Sequence, residues 1–138
     1  MFWFSAGYAF AMQGRSRALG PAMAGLAAFR IGLGAASWLA PGPLARAYGV
    51  PEDRLTPELE YMTRVFGVRA VALGVGYLAS SGEARRLWRR LWLLCDAADT
   101  AMGVGMLARG RLDAQRGAAA LATTAPAAAL DAAAIAAE

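Results

Sequence analysis

The segment Leu91–Met106, LWLLCDAADTAMGVGM, constrains this chain most, because it has the composition of a membrane-spanning helix and yet carries two acidic residues. Asp96 and Asp99 are three residues apart, so a helix places both carboxyl groups on one face. A charged side chain at the centre of a bilayer costs about 2.5 to 3.5 kcal/mol on insertion scales. We therefore expect these two side chains to meet a partner or to serve a function.

Three further stretches are long and apolar enough to cross a membrane, for which a helix needs about 20 residues. They cover residues 18–40, 61–80 and 118–137, and the helix with the two aspartates extends over residues 87–108. The pattern predicts an all-α protein, a membrane-embedded four-helix bundle in residues 18–138. Residues 1–17 are apolar but too short to span and lack the charge order of a signal peptide, so we interpret them as a leader or an interfacial segment.

Turn and capping residues delimit these spans. Pro41-Gly42-Pro43 ends the first span, because proline cannot continue a helix. Thr56 and Pro57 are typical of the N-cap and the first turn of the next helix. The fourth span is mostly alanine, which inserts only marginally, so we expect it to pack against the other three. An exposed alanine-rich tail is the alternative.

A stripe of small residues runs along the first span. Ala24, Ala28, Gly32 and Ala36 recur every four residues and lie on one helical face. Small side chains let a second helix approach closely, as they do at many helix contacts in membranes. The stripe therefore predicts a packing face for another helix, including one from a second copy in a homodimer.

The basic residues are all arginines, 14 in number, and give a net charge of +4. They stand singly or at the ends of apolar runs, as in the segment Glu83–Trp92, EARRLWRRLW, which is typical of headgroup contact rather than of nucleic-acid binding. The alanine, glycine and arginine content is typical of a GC-rich bacterial genome, so the bacterial inner membrane is the expected location. A lone Cys95 and the lack of histidine exclude an intrachain disulfide and an ordinary zinc site, and no cofactor is expected.

Five charged residues fall near the middles of the four spans, at similar depth. They are Arg30, Arg69, Asp96, Asp99 and Asp131. Two arginines and three aspartates leave one carboxylate in excess. One interpretation is a static ion-pair network that fixes the register of the bundle. The other is a polar site in an apolar cavity, where burial keeps one aspartate protonated as a donor while its neighbour stays ionised against arginine.

Paired carboxylates with arginine can perform acid/base chemistry on an uncharged lipophilic molecule, by opening an epoxide, cyclising or isomerising it. The chemistry is similar to that of small limonene-type epoxide hydrolases, whose soluble fold differs. Either Asp96 or Asp99 would act as base, and the other, or Asp131, as acid, while Arg69 and Arg30 hold the ionised partner. Four aromatic residues are candidates for the apolar wall of the substrate pocket: Tyr61, Tyr77, Trp38 and Trp92.

Two other functions fit the same charges. A small dimeric proton-coupled exporter would use a membrane-embedded acid to exchange a proton for its cargo. A non-catalytic assembly subunit would instead pair its charges with those of another chain. Lipid surrounds the protein in all three cases.

The order of motifs resembles an uncharacterised group of small four-helix membrane proteins found in bacteria and fungi. The shared features are an arginine in the first span, the turn PGPLARAYGVP, the segment RVFGVRAVALGVGYL and a third span with paired acids. The resemblance covers about Arg30 to Arg109 and rests mainly on the FGVR segment, Phe66–Arg69, and on the proline-rich turn. It implies the four-helix fold and no established activity.

Overall fold

The computed structural model describes the backbone of residues 2–138 and the side chains of residues 19–138. The described residues form five helices, α1 (Phe2–Leu39), α2 (Pro41–Ala47), α3 (Pro57–Ala79), α4 (Gly82–Ala108) and α5 (Ala114–Ala136), with one short 3-10 turn at Glu52–Arg54. The predicted leader, residues 1–17, lies outside the residues whose side chains are described.

Four helical segments are long and apolar enough to cross a membrane: Leu19–Leu39 of α1 and the whole of α3, α4 and α5. Large apolar side chains on these segments point away from the bundle, among them Leu39, Leu94 and Met102, which are 80%, 65% and 63% exposed. Such a surface suits lipid, in which helices satisfy their own backbone hydrogen bonds. The prediction of an all-α, multi-pass membrane bundle is confirmed.

Capping residues set where two of the helices begin. The Thr56 hydroxyl accepts a hydrogen bond from the amide of Leu59 at 3.3 Å, and Pro57 occupies the first helical turn, as predicted. The Asp113 carboxylate accepts from the amide of Arg116 at 2.9 Å. This cap starts α5 at Ala114, four residues before the predicted span, because the helix includes a polar first turn that the apolar pattern leaves out.

The bundle consists of two closely packed helix pairs. α1 packs mainly on α3, α4 packs mainly on α5, and the two pairs meet along a less extensive seam. The α1–α3 contact is closest at Gly34 and Gly67: a Cβ added at either glycine would lie 2.5 or 2.6 Å from the carbonyl oxygen of the other. Only glycine permits this approach of the two backbones.

The stripe predicted from small residues on α1 does not form this contact. Ala24, Ala28, Gly32 and Ala36 are all exposed, and a Cβ at Gly32 would meet nothing within 4 Å. The expectation that the stripe packs against another helix of the bundle is wrong, because α3 lies against the neighbouring face of α1. A homodimer through the outward stripe remains a prediction.

The alanine-rich fourth span belongs to the bundle. Ala127 and Ala134 of α5 are buried at 7% and 3% exposure, and α5 packs along α4. The alternative of an exposed tail is therefore wrong. Alanine suits this position because its small side chain lets the two helices lie close together.

The core of the bundle is built around Trp92 of α4, which is completely buried. Its indole Nε1 donates a hydrogen bond to the carbonyl oxygen of Leu73 on α3 at 3.1 Å. The ring of Tyr77 packs against it, with ring centroids 4.6 Å apart. Met23, Ala27 and Ala134 complete this cluster, and Cys95 packs at its edge as a small apolar residue.

Candidate functional site

Arg30 of α1 binds Asp96 of α4 through both arms of its guanidinium group. Nη1 donates to Oδ1 at 3.2 Å, and Nη2 donates to Oδ2. Arg30 and Asp96 are buried, at 8% and 4% exposure. Two parallel charge-assisted hydrogen bonds fix the carboxylate in position as well as in charge. The pair joins the two helix pairs across the seam.

Asp131 of α5 is a third member of this buried cluster. Its Oδ2 lies 3.5 Å from Nη2 of Arg30, and its carboxyl group neighbours that of Asp96. The side chain is fully buried, and neither carboxyl oxygen has a hydrogen-bond partner among the described residues. The cluster therefore has two carboxyl groups for one guanidinium group. A proton on one of the two carboxyl groups would balance the charge.

Trp92 forms one wall of the cluster. The Cζ atom of Arg30 lies 4.5 Å from the centroid of the Trp92 ring, within the range of a cation–π contact. Since Trp92 also bonds to the backbone of α3, its ring has a fixed position under the guanidinium group. The core thereby supports the ion cluster and keeps solvent away from that side.

Arg69 of α3 and Asp99 of α4 form a second ion pair. Nη2 of Arg69 lies 2.5 Å from Oδ2 of Asp99, and the two side chains are 43% and 33% exposed. The guanidinium carbon lies 5.3 Å from the ring centroid of Phe66. One carboxylate oxygen binds the arginine and Oδ1 lies outside this bond. Asp99 is thus paired with a cation, oriented, and accessible from the side of the bundle.

Both ion pairs line one cavity at the seam, with a volume of about 40 Å³. The charged walls are Arg30, Asp96, Arg69 and Asp99, whereas Asp131 lies behind them. The remaining walls are the side chains Leu26, Phe29, Leu33, Phe66, Ala70, Leu73, Thr123, Thr124 and Ala127. A water molecule needs roughly 10 to 15 Å³ of such space together with polar partners, so the cavity has room for a small number of waters. Four charged side chains therefore face a small cavity whose other walls are mainly apolar.

All five predicted charged residues thus meet at the seam, but as a buried cluster of three and a half-exposed pair. The predicted aromatic wall is divided in the same way. Tyr77 and Trp92 lie in the core beside the cluster. Tyr61 and Trp38 are 65% and 51% exposed. None of the four predicted aromatic residues lines the cavity, whose aromatic walls are Phe29 and Phe66, so this part of the prediction is wrong. The ring of Tyr77 contacts Trp92 and Arg85.

Three threonines near the cavity were missed by the sequence analysis. Thr123 and Thr124 line it, and the Thr100 hydroxyl donates to that of Thr124 at 3.0 Å, joining α4 to α5. Thr123 and Thr124 each also donate to the carbonyl oxygen of Ala120. Adjacent threonines in an otherwise alanine-rich span are the signal that would have indicated Thr123 and Thr124.

No protein-family model, curated protein or solved structure matches the chain. The resemblance to small four-helix membrane proteins of bacteria and fungi therefore stays a prediction. Among the described residues, no group of three or more Cys, Asp and Glu side chains is arranged to hold a metal ion.

Proposed function

We propose that the protein is an integral membrane enzyme that performs acid/base chemistry on an uncharged lipophilic molecule at the seam cavity. One observation carries the proposal: two arginine-held aspartates face one small chamber whose other walls are mainly apolar. Such walls favour an apolar substrate, and the fixed charges act strongly because little water surrounds them.

Asp99 is the base in this proposal. Arg69 holds one of its oxygens, which keeps the carboxylate ionised, and the other oxygen is available to accept a proton. Its partial exposure gives water and substrate access from the side of the bundle. The buried cluster is less suited to this role, because Arg30 engages both oxygens of Asp96.

The acid is the proton of the buried cluster, which Asp131 carries because Arg30 engages both oxygens of Asp96. The proton passes from Asp131 to Asp96, which lines the cavity, and from Asp96 to the substrate. Arg30 limits the negative charge that remains after the proton has left. Two carboxyl groups in different surroundings are a general means of obtaining one acid and one base.

Epoxide hydrolysis is the reaction that matches these groups most directly. Asp99 takes a proton from a cavity water, whose oxygen forms a bond to one epoxide carbon. The bond between that carbon and the ring oxygen breaks, and the ring oxygen receives the proton from Asp96. One epoxide and one water give one diol, and the proton gained by Asp99 replaces the one lost from the cluster. Cyclisation or isomerisation would use the same two groups without consuming water.

The cavity has room for water but is too small for a lipophilic substrate, so the substrate enters at the half-exposed Arg69–Asp99 side. Entry there requires the two helix pairs to separate locally, and the seam between them is the less extensive contact of the bundle. A lateral entrance suits a substrate that is dissolved in the bilayer. We place the protein in the inner membrane of a bacterium.

The test is turnover of a panel of lipophilic epoxides by the purified protein in detergent, with ¹⁸O-labelled water and mass spectrometry of the diols. We expect labelled diol from the wild type and a loss on the order of 10²-fold or more for Asp99→Asn and for Asp96→Asn. Asp53→Asn, in the exposed connection, is the matched control and retains full activity. Full retention of turnover in both site variants contradicts the assigned roles.

The organisation into two helix pairs also favours a second function, a proton-coupled carrier. Two rigid pairs that meet at a seam with a proton-holding carboxyl cluster are able to rock against each other. This function predicts substrate-driven proton flux in proteoliposomes without chemical change of the substrate, and loss of the flux in Asp131→Asn. Charge pairing with a second chain, as in an assembly subunit, predicts neither turnover nor flux.

A further inference from the structure

A second cavity lies at the end of the bundle where α4 begins, and three arginines line it. Arg85, Arg86 and Arg89 belong to the first two turns of α4, and the cavity has a volume of about 370 Å³. Arg89 is seven residues from Asp96, or about 10 Å along the helix at 1.5 Å per residue. The cavity is therefore separate from the seam chamber and lies towards the membrane surface.

The arginines of this cavity are held in place by the bundle. The Nε of Arg85 donates to the carbonyl oxygen of Ser80 at 2.7 Å, and its guanidinium carbon lies 5.3 Å from the ring centroid of Tyr77. Arg89 is only 20% exposed, and its buried Nε has no hydrogen-bond partner among the described residues. A buried charged donor without a partner is costly, so a ligand with acceptor oxygens would be favoured there.

The charge balance of the cavity favours an anion. The only acidic side chain among its described lining residues is that of Glu138, whose Oε1 lies 2.7 Å from Nη2 of Arg89. Arg86 also lies 3.5 Å from the exposed carboxylate of Glu83, so three guanidinium groups face two carboxylates and one positive charge is in excess. The start of α4 adds the positive end of the helix dipole at the same place. Glu138 occupies a position where an incoming anion would compete for Arg89.

We propose that this cavity binds a phosphate group through its arginines. The guanidinium group of arginine has paired N–H donors that match the oxygens of a phosphate group in geometry and in charge. The remaining described walls include Leu19, Met23 and Ala134, which supply an apolar side for an acyl or prenyl chain. The phosphate can come from an anionic phospholipid headgroup or from a soluble phosphorylated compound, and the experiment distinguishes these sources.

The test measures binding of phosphatidylglycerol to the full-length chain in detergent, by native mass spectrometry and by the rise in melting temperature, with phosphatidylcholine for comparison. Arg86→Gln and Arg89→Gln should weaken phosphatidylglycerol binding about tenfold, which corresponds to 1.4 kcal/mol. Arg90→Gln removes the same charge from the adjacent position, is exposed, does not line the cavity and should leave binding unchanged. Glu138→Gln should strengthen binding, since it removes the competing carboxylate.

A second experiment measures whether inorganic phosphate displaces phosphatidylglycerol from the protein. If it displaces phosphatidylglycerol with the same dependence on Arg89, the site recognises a free phosphate group; if it does not, the site recognises the lipid headgroup. Arg86 is exposed, so its variant keeps the proposal testable should Arg89→Gln unfold. Equal weakening by Arg90→Gln, or equal binding of phosphatidylcholine, would show only general attraction to the membrane surface and overturn the proposal.

Discussion

Arg30 and Asp96 form a two-point ion pair that joins α1 to α4 across the seam between the two helix pairs. The same guanidinium group faces Asp131 of α5 and packs over Trp92. One arginine therefore faces two buried carboxyl groups, so the cluster has one more acidic than basic side chain. The stability of the bundle and the proposed chemistry depend on the same side chain.

Arg30→Gln should destabilise the bundle strongly. It leaves Asp96 and Asp131 buried without a cation, and removing one partner of a buried ion pair costs about 3 to 5 kcal/mol. The measurement is the free energy of unfolding in detergent, followed by circular dichroism. Arg54→Gln, in the exposed connection, is the control and should have no effect.

The triple variant Arg30→Met, Asp96→Leu, Asp131→Leu separates structure from function. Replacing a whole buried ion cluster by apolar residues of similar size is often neutral or stabilising. We expect a folded protein whose stability is close to that of the wild type and which has lost turnover and proton coupling. A triple variant that retains turnover would make the cluster a structural element only.

Asp99→Asn should have a small effect on stability, in contrast to the buried pair. Arg69 and Asp99 are partly exposed, and polar contacts between membrane helices contribute about 0.6 kcal/mol on average. The expected result is a melting temperature within a few degrees of the wild type together with loss of turnover. A large fall in melting temperature would instead assign Asp99 a mainly structural role.

Gly34→Ala and Gly67→Ala should each destabilise the α1–α3 contact. The added methyl group would lie 2.5 or 2.6 Å from a carbonyl oxygen of the facing helix, and overpacking of this kind typically costs about 1 to 3 kcal/mol. Gly32→Ala, on the open face of α1, is the matched control and should be neutral or slightly stabilising, because alanine favours helix more than glycine does. Thermal unfolding of the three variants measures whether Gly34→Ala and Gly67→Ala are less stable than Gly32→Ala.

Trp92→Phe should lower stability, whereas Trp38→Phe should not. Trp92 is fully buried, and its replacement loses the hydrogen bond to Leu73 and weakens the contact with Arg30. We expect a loss of about 1 kcal/mol from the hydrogen bond alone, since the Leu73 carbonyl keeps its donor within α3, and a further loss from the smaller ring. Trp38 is half exposed on the outer face and serves as control. Equal melting temperatures for both variants would contradict the central position of Trp92.

The membrane class, the four spans and the five charges near mid-span could be predicted from the sequence, as could the capping of α3 by Thr56. Each of these follows from a local property: the length of an apolar run, the position of a charge within it, or a capping residue beside proline. The predicted span began four residues after the start of α5, because the apolar run does not include the polar first turn that Asp113 caps.

The sequence by itself determined that costly charges of both signs share one depth in a helical membrane bundle. Only the tertiary structure decided which arginine meets which aspartate, since pairing depends on how each helix is rotated about its axis. The close contact at Gly34 and Gly67 turns the small-residue stripe of α1 outward and Arg30 inward, towards Asp96 and Asp131. Arg69 is left at the open side of the seam with Asp99. These rotations come from packing between helices distant in sequence, which no local pattern encodes.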